Sequence, residues 1–279
     1  MTVRTRNKVY LIFFIISLLF MIGAIAGAAF LTNEGLMHRT GLEPNEWAVA
    51  SSVIAILMFL CYVPAAAGFI CFGFEKTSSD EIVFFLIFLI CCFFEGVRLL
   101  FPYQELYLAM AANFKIIYPA SGLPDSSVVL MCMSKFVIFV RAMAYLSLLC
   151  MPVFPLIKKY MTVEELLALA CAISVLTAAI CKIRVNEFQT NYTHAVANYS
   201  HLIWAIIFVF TATFMLVGNY INFRMKKRVP ESLGYLGTVI GHLTLTHAYS
   251  FPTLVISASV FFLGTIVYLR NIHSRLNNG

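Results

Sequence analysis

Charged side chains are scarce in this sequence. Asp, Glu, Lys and Arg together make up 11% of its 279 residues, against roughly 25% in a typical soluble domain. A soluble fold of this length would lack the charge to cover its surface. Long acidic or basic tails are missing too, so the net charge of +6 does not read as nucleic-acid affinity, and no nucleic-acid partner is expected. The eight cysteines (Cys61, Cys71, Cys91, Cys92, Cys132, Cys150, Cys171 and Cys181) lie in or beside apolar segments. None has the paired spacing of a zinc site or a disulfide framework, and they read as small buried hydrophobes.

Cofactor fingerprints are also missing. There is no Walker A loop, no Gly-rich dinucleotide turn and no G-x-S-x-G elbow, and neither a cofactor nor a metal is expected. No lysine sits mid-span in the last apolar segment, which removes the usual retinal attachment. No stretch has the composition of a soluble kinase, cyclase or DNA-binding domain, so a signalling role would require a partner.

What the chain has in abundance is apolar length. It is 61% hydrophobic with 26 phenylalanines and a mean hydropathy of +0.89. A helix needs roughly 20 apolar residues to cross the hydrocarbon core. Seven stretches qualify: 9–31, 47–74, 82–101, 128–154, 163–181, 201–221 and 236–269. The expected fold is an all-α polytopic membrane helix bundle, one integral membrane domain over 1–279 with seven transmembrane helices. The first run follows Arg4, Arg6 and Lys8. It is too long for a signal-peptide core and reads as a retained first helix. Ser78–Glu81 and Thr162–Glu165 have capping-box spacing. Pro119, Gly122 and Pro124 break the region 102–126, leaving at most a short interfacial helix over 107–118.

The last stretch is too long for one crossing. Its 34 residues would extend roughly 51 Å as a helix, and Pro252 lies near its middle. It is either one kinked span or two segments, and two would make the crossings eight. With the N-terminus cytoplasmic and seven crossings, ten Lys and Arg lie on the cytoplasmic side and six on the other. The positive-inside rule favours that orientation, in a cell or inner membrane. It leaves Arg270 and Arg275 outside, which fits poorly. The layout resembles the membrane modules of bacterial seven-helix sensors. Gly23-x-x-x-Gly27 and Ala65–Gly68 are sites for close helix approach.

Charge inside a span is expensive and marks a candidate site. Glu95 and Arg98 share a face of the third span, and Lys135 and Arg141 lie in the fourth. All four are expected in the outer half or near the midplane. Glu95 is expected to pair with Arg141 or Lys135, as a structural ion pair or as part of a ligand site. The remaining positive charge would favour a small anionic ligand or a lipid head group. His242 and His247 are five apart, about 140° around a helix, which does not suit a metal pair. With Pro252 they are instead a second candidate site, the lining of a cavity at a broken helix. The bland alternative is a proline kink.

Three functions fit. The first is a multi-pass sensor or regulatory module that binds an anionic ligand or lipid and signals through a protein docked on the basic cytoplasmic loop 222–230. The second is a small transporter or permease for an anionic or amphipathic solute. The third, an intramembrane lipid-acting enzyme, lacks a nucleophile or metal constellation, so the reading leans away from catalysis.

Overall fold

A chain surrounded by hydrocarbon must satisfy its backbone amides internally, and apolar runs of this length do so as helices. The computed structural model describes residues 3–33, 46–74, 79–96, 126–181, 213, 216–221, 223–224, 229–246 and 250–277. All regular structure among them is helical. The long helices are α1 (Val3–Asn33), α2 (Glu46–Gly73), α3 (Asp80–Glu95), α4 (Ser126–Ile157), α5 (Val163–Ile180), α6 (Val229–Thr246) and α7 (Phe251–Asn277). Among the described residues, five stretches are long and apolar enough to cross a membrane: Asn7–Gly27, Ile54–Gly73, Met131–Ile157, Val163–Ile180 and Phe251–Leu276. The protein is thus an α-helical bundle with the character of a multi-pass membrane protein.

The stretch 236–269 is two helices rather than one kinked span. α6 ends at Thr246 and α7 begins at Phe251. Pro252 sits in the first turn of α7, where its missing amide proton breaks no helical bond. Ser250 caps that turn, its carbonyl accepting from the Leu254 amide at 3.0 Å. Its side chain and that of Thr253 are bonded at 3.0 Å. The two helices pack backbone to backbone. A Cβ on Gly264 would lie 2.5 Å from the Gly237 carbonyl carbon, and one on Gly234 would lie 2.5 Å from the Tyr268 nitrogen. No other residue type fits these approaches.

The caps differ in kind. Thr162 forms the full capping box with Glu165. At α3 the N-cap is Ser79, with no side-chain cap bond; Ser78, the other end of the expected box, lies outside the described residues. α3 runs 16 residues, about 24 Å, and stops at Glu95 and Gly96. Of the expected 201–221 span, residues 213 and 216–221 are described and helical. Asn219 donates to the Ser232 carbonyl of α6 at 3.0 Å. The expected interfacial helix over 107–118 and the N-terminal part of that span lie outside the described residues.

The core is aromatic. Phe59, Tyr62, Phe84, Phe85, Phe88 and Phe261 are all buried, and they join α2, α3 and α7. Gly68 lets α2 meet the Phe14 ring of α1. By contrast, no described atom lies within 4 Å of where a Gly23 Cβ would sit.

Candidate functional site

α3 carries Asp80 and Glu81 in its first turn and no basic residue in its last. Its C-terminus therefore ends in a carboxylate, Glu95, at the negative end of the helix dipole. The counter-charge comes from α4. Arg141 Nε donates to Glu95 Oε1 at 2.7 Å, and Nη2 reaches Oε2 at 3.5 Å. Glu95 is 2% exposed and Arg141 is 7% exposed. This is a two-point guanidinium–carboxylate contact inside the bundle.

Lys135 answers a second helix end in the same way. α5 also lacks a base in its last turn. Lys135 Nζ donates to the carbonyls of Ala178 at 2.6 Å and Ala179 at 2.9 Å, and also to that of Cys181. Lys135 therefore turns to α5, and the carboxylate of Glu95 goes to Arg141. A single helix, α4, supplies the cations for the C-termini of its two neighbours. Arg98 lies outside the described residues.

One turn further along α4, Tyr145 sets its ring against that of His242 on α6. Thr246 Oγ1 donates to the His242 carbonyl at 2.7 Å. The His242 ring, 1% exposed, stands among four aromatic rings. The centroid distances are 5.0 Å to Phe88, 5.3 Å to Phe59, 5.6 Å to Tyr145 and 5.9 Å to Phe261. These rings come from α3, α2, α4 and α7. His242 is thus one point at which the α6–α7 hairpin meets α2, α3 and α4. Pro252 is exposed at the start of α7 and does not join His242 in a common lining. His247 lies outside the described residues.

A second polar string crosses the hairpin. The Tyr62 hydroxyl is 3.0 Å from Thr265 Oγ1, which is 3.3 Å from Thr238 Oγ1. Tyr235 donates to the Leu148 carbonyl at 2.8 Å. Sequence reasoning missed a third charged cluster, because it placed Arg275 on the opposite side from Glu81. Arg275 at the end of α7 pairs with Glu81 of α3 and, at 2.9 Å, with Glu231 of α6. The only sequence signal for it was the poor fit of Arg270 and Arg275 outside. Among the described residues, no group of three or more His, Cys, Asp or Glu side chains could hold a metal.

No protein-family model matches this chain, and no curated protein or solved structure matches it.

Proposed function

We propose that this protein is a membrane-embedded regulatory module with eight crossings and both termini in the cytoplasm. A small anion reaches Arg141 by displacing Glu95. The anion is a carboxylate- or phosphate-bearing solute, or the head group of an anionic lipid. The changed state is passed to a protein partner at the basic loop 222–230. The observation that carries the reading is the Glu95–Arg141 pair itself. A buried ion pair is no better a stabiliser than well-packed apolar side chains of the same volume, so charge kept in such a place points to use. A guanidinium already holding a carboxylate is a site that another carboxylate or phosphate can occupy with the same geometry. Tyr145, one turn from Arg141 on α4, packs its ring on His242, which supports a route from that site into the hairpin.

The topology rests on the shared end of α3, α6 and α7. Arg275 lies against the first turns of α3 and α6, so the end of α7 belongs with the 74–80 connection. With Arg270 and Arg275 on that side, the ten against six of the seven-crossing count becomes twelve against four. That is a stronger positive-inside bias.

Thermal stability of the purified protein tests the reading. Sodium phosphate, sodium citrate and phosphatidylserine are each added and compared with chloride and phosphatidylcholine. At least one of the anions is expected to raise the Tm of the natural chain and to leave that of Arg141→Gln unchanged. Equal shifts in both proteins, or none in either, would contradict it. A small permease for the same anions is the second reading, favoured by the break that divides 236–269 between α6 and α7. Uptake of labelled citrate into vesicles containing the protein separates it from a module that only binds.

A further inference from the structure

The α6–α7 hairpin is held together by one means and held to the bundle by another. Inside it, backbone meets backbone at Gly234, Gly237, Gly241 and Gly264, so the two helices move as one body. Its attachments to α2, α3 and α4 are made by side chains: the Tyr62–Thr265 bond, the Tyr235 hydroxyl on the Leu148 carbonyl and the rings around His242. Where α7 ends, the attachment is ionic. Arg275 Nη1 donates to Glu231 Oε1 at 2.9 Å, and Nη2 is paired with Glu81 in the first turn of α3.

These contacts differ from the Glu95–Arg141 pair in two respects. First, water reaches them. The side chains of Arg275, Glu81 and Glu231 are 22%, 15% and 16% exposed, against 9% and 2% for Arg141 and Glu95. A partly hydrated ion pair costs less to open than a fully buried one. Second, the arginine has counter-ions on two bodies. Glu81 belongs to α3, whereas Glu231 belongs to the hairpin that carries Arg275. Breaking an ion pair is costly mainly because it leaves a charge without a partner. When Glu81 lets go, Arg275 keeps a carboxylate within its own hairpin.

We propose that Arg275 is the movable half of a latch: it holds the α6–α7 hairpin onto α3 through Glu81 and, on release, rests on Glu231. The latched helix is the one whose far end carries Glu95, so α3 is tied to the hairpin at its first turn and to α4 at its last residue. In the regulatory reading this would be the output end, but the latch does not depend on that reading or on any ligand.

Two native cysteines report on it. Cys150 of α4 is buried two residues beyond Leu148, whose carbonyl accepts from Tyr235 of α6, so it lies near the seam with the hairpin. Cys181, just after α5, is wholly buried with Ile138 of α4 and Ala178 of α5, on a seam the hairpin does not form, and it reports unfolding of the bundle as a whole. The full-length protein in lipid nanodiscs is treated with N-ethylmaleimide, and each site is quantified by mass spectrometry. Glu81→Gln is expected to speed labelling of Cys150 about tenfold, as the open population rises, with Cys181 unchanged. Glu231→Gln leaves Glu81 as the counter-ion of Arg275 and is expected to slow Cys150 labelling or leave it unaltered. The proposal is overturned if Glu81→Gln leaves Cys150 unchanged. It is overturned equally if both variants speed Cys150 alike, or if Cys181 rises together with Cys150; either result makes the cluster a fixed part of the fold.

Discussion

Glu95 and Arg141 meet because each answers a need of the other. Glu95 ends a helix that has no base of its own in the last turn, and Arg141 lies inside a long apolar helix where a lone cation is costly. The partnership was legible in the sequence, since opposite charges in adjacent apolar spans have few other places to go. The partners of Lys135 were not legible. They are backbone carbonyls at the end of α5, and carbonyls carry no sequence signature. The His242 cage was missed for a related reason. Four rings from four helices converge on it, and no spacing along the chain reveals that. Neutralising either member of the ion pair, as Glu95→Gln or Arg141→Gln, should destabilise the protein by about 3 kcal/mol, because the other charge is left buried. The exchange Glu95→Arg with Arg141→Glu should recover part of that loss. It restores the pair and places a cation at the C-terminus of α3, where the dipole favours one. Thermal melting of the four proteins checks this; an exchange no more stable than the worse single variant would contradict it.

At the scale of elements, length was the informative quantity. A stretch too long for one crossing announced a break near Pro252, and the structure has α6 and α7 on either side of it. What the sequence hid was the way the two halves fold back on each other. Gly234, Gly237, Gly241 and Gly264 become a packing surface only when the two helices are antiparallel neighbours. Gly23 and Gly27, in contrast, have the more familiar motif, yet no described atom approaches the Cβ position of Gly23. The two kinds of glycine should therefore respond differently to the same change. Gly264→Ala forces a methyl group into the backbone of α6 and should cost about 1–3 kcal/mol. Gly23→Ala should be neutral or slightly stabilising, since it removes a glycine from a helix interior. Denaturation curves of both variants decide this, and equal losses would contradict the hairpin packing. The Pro252 break also shows how a local rule depends on position. A proline inside an uninterrupted helix would have meant a kink, but in a first turn, behind the Ser250 cap, it marks a start.

At the scale of the whole molecule, the charges fall into place once the hairpin is recognised. Arg275 joins Glu81 and Glu231 at one end of the bundle. The Glu95–Arg141 pair lies at the far end of α3, and Lys135 at the end of α5. Arg270 and Arg275 fitted poorly outside because an odd number of crossings put them across the membrane from Glu81. In the proposed eight-crossing arrangement, folding the last segment back removes the conflict and puts twelve of the sixteen Lys and Arg flanking the spans on one side. Function was the least legible level: Glu95, Lys135, Arg141 and Arg275 are accounted for as helix-end and interhelical partners, and the regulatory reading rests on what Arg141 could exchange its carboxylate for. The measurement that tests this arrangement most directly is the side of the C-terminus, read with a reporter that is active only in the cytoplasm and fused in turn to each end of the full chain. The eight-crossing bundle predicts activity at both ends. Activity at the N-terminus with none at the C-terminus would put Arg275 across the membrane from Glu81 and contradict the account.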